Sequence, residues 1–99
     1  MVVDSDERLR AKLNAETGRL AWNALQRHFA RGSVISVAPG MDLVEVALSI
    51  ARDDQVAIAA WLADQRVKRA DNEDALDWHE RDAQFWAVVT APWVLVQEM

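Results

Sequence analysis

The stretch Asp42–Ala70, DLVEVALSIARDDQVAIAAWLADQRVKRA, decides the fold that we expect for this chain. It contains two short apolar helices joined by an acidic turn, and it ends in a basic, strand-like segment at residues 66–70. Asp42 is a good N-cap for the first helix, with Glu45 at capping-box spacing, and Asp53-Asp54 caps the second helix. This order of elements is a helix-turn-helix pattern.

Both predicted helices of this stretch are strongly apolar. In the first helix only Glu45, Ser49 and Arg52 form a narrow polar stripe, so we expect the helix to be central to the core. In the second helix several residues are small enough to let a neighbouring helix approach closely. Its apolar residues are Val56, Ile58, Ala59, Ala60, Trp61, Leu62 and Ala63.

A long first helix is predicted between Asp4 and Gly32. Asp4 and Glu7 have capping-box spacing at its start, and Gly32 is a C-cap at its end. Apolar stripes on two sides indicate a helix that is buried between layers or that lends one side to a partner. Gly18 lies within the pattern and predicts a kink or a break into two helices. One stripe comprises Leu9, Leu13, Leu20, Ala24 and His28, and the other Trp22, Leu25 and Phe29.

A short strand is predicted at residues 33–38, SVISVA, where β-branched residues occur without a helical period. Pro39-Gly40 ends this strand in a turn. An alternative pairs residues 34–37 with residues 43–46 as a hairpin around that turn. The capping signal at Asp42 and the helical period after it favour the helix.

An acidic segment, residues 71–82, follows the helix-turn-helix pattern. We expect at least one helical turn there, capped by Asp71 with Asp74 behind it. This turn is expected to carry Leu76 and Trp78 inward.

The C-terminal segment, residues 84–97, is uncharged and rich in β-branched residues. It fits two strands that meet at a bend at Pro92, or one long bulged strand. The complete order of elements is that of a winged helix, so we predict an α+β fold, a winged-helix-like three-helix core with a small antiparallel sheet. One domain covers residues 1–99. The strands of the sheet are expected near residues 34–37, 66–70 and 85–96.

Composition is that of a globular domain. The chain has 99 residues, of which 52% are hydrophobic and 27% charged, so it can bury a core without metals or disulfides. It has no cysteine, which excludes a disulfide framework and a thiolate metal site. The uncharged run Ala83–Gln97 is shorter than the roughly 20 residues that a membrane-spanning helix requires. The chain opens without the pattern of a signal peptide, so the expected location is cytoplasmic, with no membrane association.

Several runs along the chain resemble a family of short bacterial proteins described as a domain of unknown function. The resemblance extends from about Leu9 to Gln97 and implies a bacterial, stand-alone domain. It implies no activity, cofactor or catalytic residue. The runs are Glu16–Trp22, Arg27–Ala30, Asp42–Ala47, Phe85–Val89 and Ala91–Gln97.

Nucleic-acid binding is the alternative function, and the helix-turn-helix pattern suggests it first. The second helix, Asp54–Gln65, presents little that reads base edges, and Asp53 adds to the negative charge where phosphates approach. The net charge of −5 also repels a polyanion. The residues available for this function are basic ones of the first helix and of the segment 66–69: Arg19, Arg27, Arg31, Arg66, Lys68 and Arg69.

The chain contains five tryptophans and two histidines. Trp61, Trp86 and Trp93 lie in apolar patterns and are expected in or beside the core. Trp22 and Trp78 have polar neighbours and are the better candidates for partial exposure, which is typical of interaction hot spots. His79 lies among carboxylates, but no second ligand stands at metal-binding spacing.

These observations favour a small protein-interaction or regulatory module with an unidentified protein partner, which a homodimer would also satisfy. We expect no catalytic, cofactor-binding or metal-binding residue, and so no enzyme. The residues predicted to bind the partner are Trp22, Phe29, Trp78, His79, Arg66 and Arg69.

Overall fold

The computed structural model describes residues 2–99, with side chains described from residue 5 onward. Within that range the fold is α+β, as predicted. Five helices, α1 to α5, span Val2–Glu16, Trp22–Ala30, Leu43–Ala51, Gln55–Ala63 and Asn72–Arg81. Five strands, β1 to β5, span Gly18–Ala21, Val34–Val37, Val67–Arg69, Gln84–Thr90 and Trp93–Glu98.

The five strands form one mixed sheet in the order β1-β4-β5-β2-β3. β4 and β5 form a hairpin around Ala91-Pro92, which confirms the two-strand reading of the C-terminal segment. β2 and β5 are parallel, with Ile35 opposite Leu95. The predicted antiparallel sheet is therefore wrong. The long connection from β2 to β5 allows β5 to enter beside β2 in the parallel direction, which a tight hairpin does not.

Helices pack on both faces of the sheet. Alternate strand residues point to opposite faces, so the strands contribute side chains to both layers. Val88 and Leu95 join a buried cluster beneath α1 and α3, whereas Phe85 and Val96 join a second cluster beneath α2 and α5. The expected winged-helix-like three-helix core is not confirmed, since the helices are divided between two layers. Helix α5 extends the helical turn expected in the acidic segment to ten residues.

The predicted first helix is broken at Gly18, which confirms one of the two expected outcomes. Residues 18–21 form the edge strand β1, so Leu20 belongs to a strand and not to a helical stripe. Gly32 follows α2 with a φ of +73°, as a C-cap residue does. The predicted cap at Asp4 lies outside the described side chains, and α1 begins before it at Val2.

The N-caps of α3, α4 and α5 are those that the sequence predicts. Asp42 accepts hydrogen bonds from the backbone N–H groups of Val44 and Glu45, at 3.1 and 3.2 Å. Asp54 accepts one from the N–H of Ala57 at 3.2 Å. In α5 the full capping box between residues 71 and 74 is present. Helix therefore starts after Asp42, and the alternative hairpin is not formed.

Helix α3 is central to the core, as expected, with four buried residues. In α5 Trp78 points inward as predicted, but the inward placement of Leu76 is wrong, since 60% of its surface is exposed. Among the described residues no helix has both the length and the apolar character needed to cross a membrane.

Candidate functional site

Two residues predicted to contact a partner, Trp22 and Trp78, are instead buried in the core. Each is only 5% exposed. Their rings lie 5.9 Å apart, and Trp78 also packs edge-on against Phe85 at 4.9 Å. The predicted exposure is wrong because their polar sequence neighbours occupy other faces of α2 and α5. The signal for burial was the spacing of Trp22 with Leu25, which forms an apolar stripe on α2.

The other predicted partner residues lie on separate elements and differ in exposure. Phe29 is half-buried and packs against Trp22 at 5.8 Å. His79 is exposed on α5. Arg66 pairs with Asp64 at 2.9 Å.

Arg69, the last of these residues, has a role within the fold. Its Nε donates a hydrogen bond to the Gly32 carbonyl at 2.9 Å. Its guanidinium carbon lies 5.5 Å from the Trp93 ring centre. These contacts tie β3 to the turn after α2 and to β5.

The basic residues proposed for nucleic-acid binding are only partly brought together. Lys68 and Arg69 are successive strand residues, so they point to opposite faces of the sheet. Lys68 pairs with Asp74 at 2.9 Å and Asp71 at 3.3 Å, and these carboxylates raise its pKa. Arg19 lies on β1, at the other edge of the sheet from β3. Arg31 and Arg69 line one small cavity, but Arg19 and Lys68 lie away from it, so the six residues do not form a single positive patch.

No metal-binding cluster of three or more His, Asp or Glu side chains occurs in the described part of the chain. One of the acidic residues near His79 is engaged in a different interaction. Asp77 accepts two hydrogen bonds from Arg81, at 3.0 and 2.7 Å. Arg81 also donates to Glu98, so this group connects α5 to β5.

A cleft of about 510 Å³ lies between α1 and the start of α3. An ion pair between Arg10 and Glu45 lies along it, with a second hydrogen bond of 3.1 Å between Nη2 and Oε1. This contact lowers the pKa of Glu45. The expected capping box at α3 is therefore only half formed, because the Glu45 side chain turns to α1 instead of to the backbone of Asp42. We assign the pair a structural role, joining the two helices.

The outward face of α4 is an exposed apolar surface, and the predicted site does not include it. None of the nine residues of α4 is buried within the described part of the chain, although eight of them are apolar. Val56 is 83% exposed and Leu62 49% exposed. We define the α4 face as four exposed residues on one side of the helix: Val56, Ala59, Ala60 and Ala63.

An apolar groove of about 330 Å³ runs beside this face. Leu62 stands between the α4 face and the groove, since it lies on the flank of the helix. Asp53 and Arg69 supply the charged groups of the groove wall, at the start of α4 and on β3. The apolar side chains lining the groove come from α3, α4 and three strands: Ile35, Ile50, Ile58, Leu62, Val67 and Trp93.

The α4 face was missed because the sequence predicts a different environment for it. Its alanines indicated a closely packed neighbouring helix. In the structure α4 packs on α3 and β3 through its opposite side, and the described residues place no helix against the α4 face. The signal that identifies the face is the absence of a charged residue all around a surface helix.

Two of the remaining tryptophans lie at the border of the core, and the expectation that Trp86 does so is wrong. Trp61 and Trp93 are half-buried, as expected, and both contact the cluster beneath α1 and α3. Trp86 is more open, at 37% exposure. The Arg19 guanidinium carbon stands 5.3 Å from its ring centre.

Comparison with known proteins agrees with the resemblance drawn from the sequence. A family model described as "Protein of unknown function (DUF2288)" matches residues 8–98. The NMR solution structure of PA1075 from Pseudomonas aeruginosa is 46% identical, covers 92% of this chain and 84% of its own, and superposes with a TM-score of 0.82. A search of curated proteins found no match. The chain belongs to the DUF2288 family of proteins of unknown function.

Proposed function

We propose that this protein is a protein-interaction module whose docking surface is the α4 face together with the adjoining groove. The proposed role is binding rather than catalysis. One observation carries the proposal: α4 is apolar on all sides, yet none of its residues is buried among the described residues. A helix that is hydrophobic all round is normally buried in the functional form of a protein.

The free energy available from burying the side chains of this surface supports a partner that covers it. Burying a valine or leucine side chain contributes roughly 1.5–3 kcal/mol, and much of this remains available at Val56 and Leu62, which are 83% and 49% exposed. The alanines add apolar area with no side-chain entropy to lose. A contiguous apolar patch of this kind is typical of interaction sites.

The chemistry of the surface favours protein over nucleic acid. The α4 face carries no charge, whereas binding to phosphates requires basic side chains. The helix also begins at Asp53 and Asp54, so negative charge stands at the end where phosphates bind helices. A polypeptide partner with an apolar stripe matches the face better.

Site-specific photo-crosslinking in native extract tests the proposal. A photoreactive residue at position 59, on the α4 face, is expected to give a discrete crosslinked protein. The matched control is position 76, because Leu76 is also exposed but lies on α5. The product at position 59 should disappear when Ala63→Glu is added to the same chain. Equal crosslinking at positions 59 and 76, or none at position 59, would contradict the proposal.

A further inference from the structure

We propose that the α4 face is covered by the α4 face of a second copy of this chain, in an antiparallel helix pair across a two-fold axis. This inference rests on the proposed function and names the occupant of the docking surface. Three features of α4 support it: the spacing of its exposed residues, the sizes of the residues that the pairing brings together, and the charges at the two ends of the helix.

The exposed residues have the spacing of a helix-pairing seam. Val56, Ala60 and Ala63 follow one another at intervals of four and three, as residues at the contact line of paired helices do. Ala59 completes the seam on the same side. Because three of the four residues are alanine, the axes of two helices can approach closely. Larger outward residues would hold the helices apart.

Residue sizes match in the antiparallel direction. With the two-fold axis between Ala59 and Ala60, Val56 of each copy stands opposite Ala63 of the other. The largest residue of the face then packs over one of the smallest, and this happens twice by symmetry. A two-fold interface requires such self-complementarity, since the same patch is used by both copies. A parallel pair would place the two valines together and leave the alanine ends unfilled.

The charges at the two ends of α4 also favour the antiparallel direction. Asp53 and Asp54 stand at the start of α4, and Arg66 follows its end. The Arg66 side chain is 48% exposed, so its guanidinium has donors free for a second carboxylate besides Asp64. In the antiparallel pair the acidic start of one helix lies beside the Asp64–Arg66 ion pair of the second copy, which is a neutral end and not a second acidic one. The dipoles of the two helices also point in opposite directions in this arrangement, which is favourable. A parallel pair would set acidic starts side by side.

Arg52, which also stands near the start of α4, does not neutralise this acidic end. Its Nη1 lies 3.2 Å from the Asp6 carboxylate, so its charge is directed to α1.

Sedimentation velocity on purified protein tests the pairing. We expect the wild type to be a dimer, and Ala60→Glu and Ala60→Lys each to weaken dimerisation by at least about 100-fold, because each buries an unpaired charge at the seam. Mixing the two variants in equal amounts should restore a dimer, since opposite charges then meet across the axis. The matched control is Ala11→Glu, which adds the same charge at an exposed position of α1 and should leave the dimer intact.

Circular dichroism separates loss of pairing from loss of fold. Position 60 is exposed, so both variants should keep the wild-type spectrum. A wild type that stays monomeric, or a dimer that Ala60→Glu leaves unchanged, would overturn the inference. If position 59 crosslinks a different protein while the purified chain is monomeric, the docking surface stands and the second copy is excluded as its occupant. If neither occurs, both proposals fail.

Discussion

Arg10 on α1 and Glu45 on α3 form a two-point ion pair that joins the two helices covering one face of the sheet. Both side chains are partly open to solvent, at 42% and 44% exposure. The carboxylate lies at the start of α3, and Asp42 alone caps that helix. The sequence suggested a local capping-box contact between Glu45 and the backbone of Asp42. Glu45 instead pairs with Arg10, which lies in a distant segment of the chain.

Stability should depend on pH through this pair. The Arg10 hydrogen bonds lower the pKa of Glu45 in the folded protein. The contribution of the Arg10–Glu45 pair to folding stability is therefore complete above the unfolded pKa of about 4.3. It is lost as the pH falls through the lower folded pKa of Glu45. We expect Glu45→Gln to reduce the urea midpoint at pH 7, with a difference from wild type that shrinks below about pH 4. An equal difference at pH 3 and pH 7 would contradict this assignment.

The burial of Trp78 and the exposure of Leu76 predict opposite outcomes for two substitutions on one helix. Trp78→Ala should lower the free energy of unfolding by about 3–5 kcal/mol, because it leaves a cavity between α5 and the sheet. Leu76→Ala should change it by less than about 0.5 kcal/mol. Urea denaturation of the two variants measures both values. Similar losses in the two variants would show that the α5 orientation is wrong.

The Asp42 cap predicts a graded effect at the start of α3. Asp42→Ala removes the acceptor for two backbone N–H groups and should cost roughly 0.5–2 kcal/mol of stability. Asp42→Asn keeps an acceptor oxygen and should cost much less. Thermal unfolding at pH 7 compares the variants. If asparagine is as damaging as alanine, a role other than capping must account for the residue.

Gly32 is required by its backbone conformation. A side chain at φ +73° is strained, and a Cβ there would stand 2.8 Å from Nη2 of Arg69. We expect Gly32→Ala to cost about 1–2 kcal/mol. Gly40 also has a positive φ, but a Cβ there would meet nothing within 4 Å. Gly40→Ala therefore measures the cost of the backbone conformation alone. Because the Arg69 guanidinium ends a flexible side chain that can move aside, we expect similar losses at positions 32 and 40. No loss at position 32 would contradict the conformational requirement.

The sequence predicted local features that depend on neighbouring residues. The caps at Asp42, Asp54 and Asp71 and the interruption at Gly18 are of this kind, since capping and helix-breaking act within a few residues. The parallel pairing of β2 with β5 was not predictable in this way. It joins distant segments, and no short turn between them sets their direction.

The candidate site was missed for a related reason. Apolar residues along α4 predicted burial, and an isolated chain was expected to bury them internally. The structure uses one side of α4 against α3 and β3 and leaves the α4 face open. Trp22 and Trp78 show the reverse error, because polar neighbours in sequence hid two residues of the aromatic core. Sequence alone identifies an apolar helix, but only the fold shows which side remains exposed.

The central claim is that the α4 face contacts a second molecule, which we propose is another copy of this chain. NMR on isotope-labelled protein tests it most directly, with unlabelled protein added up to about 1 mM, where even an association worth about 4 kcal/mol is half formed. We predict shifts of amide signals along α4 and of the Leu62 methyl signals, while amides of α5 stay unchanged. Shifts confined to other elements, or an unchanged spectrum at every concentration from a chain that tumbles as a monomer, would contradict the pairing of two copies.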